Sequence, residues 1–196
     1  VAKICNYLNI HSDKDAIFTN GAGNFAIWSG KYLNYSKEHR LLAPQAGAMG
    51  AGVPAALAAK SIFPNRQVIC FAGDGDFQMS ASELGTAMQE SLNPIILIHN
   101  NGSYGTIRMH QEMRYPKRVS GTNLKNPNFK CIAEAYNFGY SKITNLSEFK
   151  VAFEKAKTFD VCFIIEMLAE GAARVWRGGT RPAPRTSATT SPATSA

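Results

Sequence analysis

The chain has 196 residues, of which 45% are hydrophobic, enough for one domain with a sizeable core. No run of 18 apolar residues is present, so the sequence predicts neither a membrane span nor a membrane partner. The formal net charge is +7, but four arginines lie beyond residue 170 and no basic stripe with interleaved aromatic residues is found, so we expect no nucleic-acid partner.

The start of the chain and its cysteines suggest a cellular context. The chain begins at Val1 with neither an initiator methionine nor a signal-peptide pattern, so we expect a fragment of a longer cytoplasmic protein. Its cysteines are widely scattered and form no CxxC pair, so we expect buried free thiols rather than zinc ligands or disulfides. They are Cys5, Cys70, Cys131 and Cys162.

The first predicted elements are a strand at residues 16–19 and a helix at residues 22–33. The turn between them, residues 21–26, has the GxGxxA pattern of dinucleotide-binding loops. A second match, at residues 50–55, has no convincing strand before it. Two matches to so loose a pattern cannot both be dinucleotide sites.

Two functions fit the turn at residues 21–26. The first is a dinucleotide-binding regulatory module, in which Glu38, somewhat early in the sequence, would bind the ribose. The second is a phosphate-facing loop at Gly23 and Asn24.

Small residues dominate the next segment, residues 44–60, which reads PQAGAMGAGVPAALAAK. Residues 52–62 are predicted to form a helix whose small side chains allow tight packing against a neighbour. By itself this pattern is explained by a close helix crossing without a binding role.

The most informative stretch is residues 68–104. It contains two short apolar runs typical of buried parallel strands, residues 68–72 and 95–99, with a predicted helix at residues 80–90 between them. Leu84, Ala87 and Met88 are expected to share the buried face of that helix.

Polar residues follow both predicted strands: Asp74 within a Gly-Asp-Gly turn, and Asn101 after Asn100. A right-handed β-α-β unit brings both strand ends to one edge of the sheet, where such folds bind ligands. Carboxylate, amide and carbonyl oxygens suit Mg²⁺, which usually also binds substrate phosphates. The pattern therefore predicts a diphosphate and metal site; the simpler alternative is a turn in which Asp74 caps a helix.

The remainder of the chain continues the alternation of helix and strand. We predict helices at residues 129–136 and 146–157 and strands at residues 139–143 and 161–167. Residues 114–128 are rich in Pro, Gly and Asn, which favours a loop over the active-site edge, a candidate for ordering when a cofactor binds.

The alternation predicts an α/β fold class: a doubly wound, mostly parallel sheet with helices on both faces. Residues 1–168 should form this domain. Residues 169–196 have a low-complexity composition that favours a disordered tail.

A Gly-Asp-Gly turn, 24 intervening residues and then Asn100-Asn101 resembles the motif of the thiamine diphosphate-dependent enzymes. The chain is similar to the C-terminal diphosphate-binding domain of the acetolactate synthase and 2-oxo acid decarboxylase group. The resemblance implies that the Asp74 and Asn101 side chains and the Ser103 carbonyl ligate Mg²⁺. It further implies a set of residues that contact the cofactor: Gly23, Asn24, Gly47, Met49, Asp74, Gly75, Asp76, Asn101, Ser103 and Tyr104.

Within that set, the resemblance gives four residues more specific roles. The backbone N–H groups of Gly75 and Asp76 would face the diphosphate. The Gly47 carbonyl and the Met49 N–H would bind the aminopyrimidine ring, and the Met49 side chain would bend the cofactor.

The same resemblance implies candidate catalytic residues: Met49, Ile107 and His110. Ile107 would lie near the reactive thiazolium carbon. His110 stands where acetolactate synthases usually have a tryptophan, either as an acid–base group or as a surface histidine. Phe25 likewise replaces a histidine usual in acetolactate synthases, whereas His99 is expected to be structural.

The implied reaction is decarboxylation of a 2-oxo acid such as pyruvate followed by condensation, as in acetolactate synthesis. The alternative within the group is a decarboxylase or carboligase. The implied partners are a pyrimidine-binding domain of the same or a neighbouring chain, whose glutamate protonates the cofactor, and further copies in a homodimer or homotetramer. FAD is a further cofactor possible in the full-length parent.

Overall fold

The structure is a computed structural model that describes residues 1–168; the tail prediction for residues 169–196 falls outside this range. Six parallel strands form one sheet in the order β2-β1-β3-β4-β6-β5. The strands are β1 Ile17–Asn20, β2 Arg40–Leu42, β3 Val68–Gly73, β4 Ile95–Asn100, β5 Gly139–Ile143 and β6 Phe163–Leu168.

Helices cover both faces of the sheet, which confirms the predicted α/β, doubly wound architecture. The helices are α1 Ala2–His11, α2 Ala26–Tyr32, α3 Gly52–Ile62, α4 Asp74–Gln78, α5 Leu84–Gln89, α6 Gly105–Arg114, α7 Phe129–Ala135 and α8 Leu146–Ala156. In residues 1–168, none of the helices has the length and apolarity needed to cross a bilayer.

The core lies in two layers separated by the sheet. Alternate residues of β3 supply opposite faces: Ile69 and Phe71 pack with α1 and α8, whereas Cys70 and Ala72 pack with α3 and α7. Because both faces are covered, the central strands are apolar throughout, which explains why they could be recognised as continuous apolar runs.

Some elements were missed and one prediction was wrong. The sequence reasoning did not predict α1, the five-residue α4 or β2, which has only three residues, two of them exposed. The helix predicted at residues 80–90 is interrupted: a 3₁₀ turn, Ala81–Glu83, precedes α5, and Met88 is 51% exposed rather than buried.

The cysteine prediction holds for three of the four positions. All four are free thiols, and Cys5, Cys70 and Cys162 are buried. Cys131 is exposed because it lies on the outer side of α7, whose inner side carries Phe129 and Ala133.

The strand order creates a crevice at the carboxyl edge of the sheet. β1 and β3 are neighbours, and the chain continues from β1 to β2 on one side and from β3 to β4 on the other. Open α/β sheets bind ligands where the strand order reverses in this way.

Candidate cofactor site

A cavity of about 160 Å³ lies at this edge of the sheet. It is formed by the segments that follow β1, β3 and β4, together with the first turn of α6. Most of the residues predicted from the sequence line it: Gly23, Asn24, Met49, Asp74, Gly75, Asp76, Asn101, Ser103, Tyr104 and Ile107. Gly47 and His110 are exposed and lie outside this lining.

Asp74 is the first residue of α4 and is only 2% exposed. Its Oδ2 accepts hydrogen bonds from the Gly102 N–H at 2.7 Å and from Asn126 Nδ2 at 2.6 Å. Its Oδ1 accepts none from the residues that the structure describes. One carboxylate oxygen is therefore fixed by the protein and the other remains available to a ligand.

Two further oxygen donors follow β4. Asn101 Oδ1 accepts from the Ser103 N–H at 2.9 Å, and the Ser103 carbonyl accepts from the Gly105 N–H at 2.8 Å. Each carbonyl oxygen has a second lone pair, so both can still bind a cation. The Ser103 hydroxyl donates to the Thr122 carbonyl at 3.0 Å, which leaves the backbone oxygen as the ligand that this residue offers.

This donor set is chemically suited to a hard cation. It combines one carboxylate with amide and backbone carbonyl oxygens, the ligand types that Mg²⁺ uses together with phosphate. Across residues 1–168, no three His, Cys, Asp or Glu side chains are grouped to hold a metal ion, and the set described here does not depend on such a group. A magnesium diphosphate therefore fits the residues present.

Sequence reasoning missed the polar network behind Asp74. Asn126 Nδ2 also donates to Asn100 Oδ1 at 2.8 Å, and Asn100 Nδ2 donates to Glu166 Oε1 at 2.7 Å. Glu166 accepts as well from the Tyr140 hydroxyl and lies 3.7 Å from Lys142 Nζ. Burial, together with this bond, raises the pKa of Tyr140.

One member of the network had a signal in the sequence. Glu166 is the single acid inside the apolar strand β6 and is only 3% exposed, and a buried carboxylate requires partners. Asn126 had none, because it lies in an aperiodic loop.

The loop predicted at residues 114–128 begins one residue later than expected, because α6 extends to Arg114. The C-terminal part of this loop is hydrogen-bonded to the site. The Thr122 carbonyl accepts from the Tyr104 N–H at 2.9 Å, and the Gly102 carbonyl accepts from the Leu124 N–H at 2.8 Å. These bonds hold the turn that carries Ser103.

The loop after β1 lies against α6 and β4. The Asn24 N–H donates to Thr106 Oγ1 at 2.9 Å, and the Asn24 side chain approaches the Met109 sulfur at 3.9 Å. The Phe25 ring stacks on His99 with centroids 5.7 Å apart. Burial lowers the pKa of His99 to about 3, so its imidazole is neutral at physiological pH.

The predicted aminopyrimidine loop reaches the cavity through Met49. Gly47 and Gly50 flank this residue with φ of +64° and +81°, backbone conformations that favour glycine. Of the candidate catalytic residues, Met49 and Ile107 face the cavity, whereas His110 is an exposed residue of α6.

Comparison with known families identifies the family to which the chain belongs. The family model described as "Thiamine pyrophosphate enzyme, C-terminal TPP binding domain" matches residues 21–167. The chain belongs to this family. Its match includes the turn at residues 21–26, so the thiamine pyrophosphate assignment is favoured over a dinucleotide-binding module. Thiamine pyrophosphate is the thiamine diphosphate of the predicted resemblance, which is thereby confirmed.

Curated relatives within the thiamine pyrophosphate enzymes are named acetolactate synthases. The chain is 34% identical over 148 residues to the acetolactate synthase large subunit of Porphyra purpurea, covering 74% of this chain and 25% of the relative. It is 34% identical over 169 residues to that of Corynebacterium glutamicum, covering 83% and 27%. It is 29% identical over 164 residues to the isozyme 2 large subunit of Escherichia coli K12, covering 83% and 30%.

These alignments also compare the length of the chain with that of its relatives. It spans about a quarter of the length of the curated relatives that it matches.

Proposed function

We propose that this chain is the Mg²⁺- and diphosphate-binding part of an acetolactate synthase-like enzyme that decarboxylates and condenses 2-oxo acids such as pyruvate. The observation that carries the proposal is that Asp74, Asn101 and Ser103 line one cavity at the sheet edge, with Asp74 Oδ1 accepting no hydrogen bond from residues 1–168. The names of the relatives support the acetolactate synthase type.

Different residues of the cavity would bind different parts of the cofactor. Asp74, Asn101 and the Ser103 carbonyl would hold Mg²⁺. Gly75 and Asp76 N–H groups in the first turn of α4, with the loop of Gly23 and Asn24, would face the diphosphate, since helix starts favour anions. When bound, thiamine diphosphate supplies the electron sink for decarboxylation, while the protein supplies orientation and charge.

Glycine at position 75 fits this assignment. A Cβ built there would lie 2.5 Å from a Tyr104 ring carbon, so a side chain would collide with the wall of the cavity. The absence of a side chain lets the α4 backbone approach both Tyr104 and a bound ligand closely.

A decarboxylase or carboligase of the same group is the second candidate. The feature that favours it is His110, an exposed residue of α6 that stands where the resemblance places a tryptophan in acetolactate synthases. An assay of the full-length parent for acetolactate against free aldehyde, over a panel of 2-oxo acids, separates the two. For the whole enzyme, we further propose a pyrimidine-binding domain that supplies the glutamate and assembly into a homodimer or homotetramer. A cytoplasmic location and a bound flavin are also part of this proposal.

Calorimetry on the chain tests the cofactor assignment. Thiamine diphosphate should bind in Mg²⁺ and lose affinity in a chelator, whereas NAD should not show this metal dependence. Asp74→Ala should abolish the metal-dependent binding, and Asp13→Ala, at an exposed position far from the cavity, should not.

The fold must be monitored in the same experiment. Asp74→Ala removes the acceptor of one Asn126 donor and leaves the Gly102 N–H with only its longer 3.2 Å bond to Asn100 Oδ1, a cost of about 1–3 kcal/mol in the free energy of unfolding. A cooperative unfolding transition with lost binding is expected. Metal-dependent binding that survives in Asp74→Ala would contradict the proposal.

A further inference from the structure

Asp76 differs from Asp74 in what its carboxylate contacts. It is 2% exposed, and its Oδ1 accepts from the Gly50 N–H at 2.8 Å and from the Ala22 N–H at 3.1 Å. Burial raises the pKa of Asp76, and the N–H groups of Gly50, Ala22 and Gly73 oppose that rise. The carboxylate is thus bonded to two loops that are distant in sequence.

Gly21 provides the space for this arrangement. A Cβ built on Gly21 would lie 1.9 Å from Asp76 Oδ1 and 2.2 Å from Oδ2, so any larger residue would displace the carboxylate. The backbone of the first loop therefore packs directly against Asp76.

The bonds of Asp76 link three segments around the cavity. Ala22 precedes Gly23 and Asn24, the predicted diphosphate loop. Gly50 follows Met49, in the predicted aminopyrimidine loop. Asp76 itself lies in α4, two residues after Asp74.

The diphosphate loop is also held by the Asn24–Thr106 hydrogen bond and by Phe25 stacked on His99, so the bond to Asp76 matters most for the aminopyrimidine loop. Residues 45–48, before Met49, are exposed, and the Gly50 φ of +81° allows the backbone many alternatives. A charged acceptor forms stronger hydrogen bonds than a neutral one, so a buried carboxylate is well suited to fasten two backbone donors.

We propose that Asp76 is a positioning residue that fastens the diphosphate loop and the aminopyrimidine loop to the turn carrying Asp74, and so sets the spacing between the two ends of the cofactor. This inference rests on the proposed function. Asp76 acts through the loops and not as a ligand, because its Oδ1 is occupied by the Gly50 and Ala22 N–H groups and its like charge would repel a diphosphate.

Two substitutions at position 76 test the role. Asp76→Ser is too short to reach both loops, whereas Asp76→Asn keeps an oxygen that can accept both N–H groups. At saturating Mg²⁺ and well below the unfolding temperature, thiamine diphosphate should bind Asp76→Ser roughly tenfold or more weakly, because the two loop N–H groups lose their shared acceptor. Asp76→Asn should retain most of the affinity.

A destabilised control separates positioning from general stability. Phe153→Leu removes buried volume on α8, away from the cavity, and should lower the unfolding temperature while leaving the affinity unchanged. If Asp76→Ser and Asp76→Asn bind the cofactor as the wild type does, the positioning role is wrong.

Hydrogen exchange on the cofactor-free chain gives an independent result. In the wild type the Ala22 and Gly50 amides should be protected, and in Asp76→Ser both should exchange faster while the β3 amides keep their protection. Unchanged protection would overturn the inference. Failure of the wild type to bind thiamine diphosphate would instead overturn the proposed function, and the exchange result would still decide whether Asp76 fixes the loops.

Discussion

At the residue scale, two carboxylates on one turn of α4 have different partners. Residues two apart on a helix do not share a face, so Asp74 and Asp76 point to different surroundings. Asp74 shares one oxygen with Gly102 and Asn126 and keeps the other free, whereas Asp76 is bonded to the neighbouring loops. Proximity in sequence therefore does not imply a shared role at this site.

The network behind Asp74 gives a prediction for Asn126. Its amide bonds both Asp74 Oδ2 and Asn100 Oδ1, so Asn126→Ala should leave Asp74 less well oriented. We expect metal-dependent binding of thiamine diphosphate to weaken by about tenfold, as is usual when a group that orients a metal ligand is removed. Titration calorimetry at several Mg²⁺ concentrations measures this.

Asn123→Ala is the matched control for that experiment. Asn123 belongs to the same loop but is exposed, and its side chain accepts only a long 3.4 Å bond from Arg108. Equal losses in the two variants would mean that the loop as a whole, and not the Asn126 bridge, supports binding.

The sequence predicted the residues that topology alone places at the site. Asp74 and Asn101 follow apolar strands, and parallel strands end at one edge, so their approach could be predicted without coordinates. The direction of the Asp76 side chain and the bridge through Asn126 could not, because they depend on how loops fold back over the sheet. Nothing periodic in those loops encodes that path.

At the element scale, α7 and α8 each have an asparagine whose side chain caps the helix N-terminus. Asn128 Oδ1 accepts from the second and third N–H groups beyond it at the start of α7, and Asn145 Oδ1 accepts from the Glu148 N–H at the start of α8. Glu148 in turn accepts from the Thr144 N–H at 2.7 Å. This reciprocal pattern is a capping box shifted by one residue.

The cap of α8 gives a stability prediction. Asn145→Ala should lower the free energy of unfolding by about 1 kcal/mol, because the Glu148 N–H loses its acceptor. Ser147→Ala, at a position in the same turn that is exposed like Asn145, is the comparison. Urea unfolding of the three proteins measures the difference, and an unchanged midpoint for Asn145→Ala would contradict the role of the cap.

The same cap predicts a pH dependence. Hydrogen bonds from Thr144 and Asn145 lower the pKa of Glu148 in the folded chain below its ordinary value of 4.5. The contribution of Glu148 is therefore present above pH 4.5 and is lost as the pH falls through the folded pKa. Glu148→Gln should be less stable than the wild type near neutral pH, and the difference should shrink in acid; a difference that stays constant down to low pH would argue against it.

The central strands were predicted well because their burial gives continuous apolar runs in the sequence. Short elements at the edge or surface were not predicted. β2 takes its position from pairing with β1 and not from apolar side chains, so its sequence carries little signal. The five-residue α4 and the 3₁₀ turn before α5 were also missed, since such short segments show too little periodicity to be recognised.

At the scale of the whole molecule, the cavity is lined by residues proposed to bind the metal, the diphosphate and the pyrimidine edge, but no glutamate lines it among the residues that the structure describes. The glutamates that follow the metal motif in sequence, Glu83, Glu90 and Glu112, all lie outside that lining. The chain thus offers binding without the proton donor that the family resemblance implies.

This arrangement predicts binding without turnover. The isolated chain should bind thiamine diphosphate with Mg²⁺ but should release no CO₂ from pyruvate, because the activating carboxylate is missing from its cavity. A coupled CO₂ assay beside calorimetry on the same sample measures both. Pyruvate decarboxylation by the chain alone would show that one of its own groups performs the activation.

The pairing of β3 with β4 has a consequence for the order in which the site comes apart. Gly73 is registered opposite His99, so Asp74 and Asn101 extend one and two residues beyond a paired position in adjacent central strands. Their separation is maintained by the hydrogen bonds between β3 and β4, which we expect to open last on heating. The Met49 segment, in contrast, is attached to the sheet through backbone turns. On warming, the Met49 segment should therefore loosen its contact with the pyrimidine end of a bound cofactor while Asp74 and Asn101 still hold the cation. Local unfolding should be detected first at Met49.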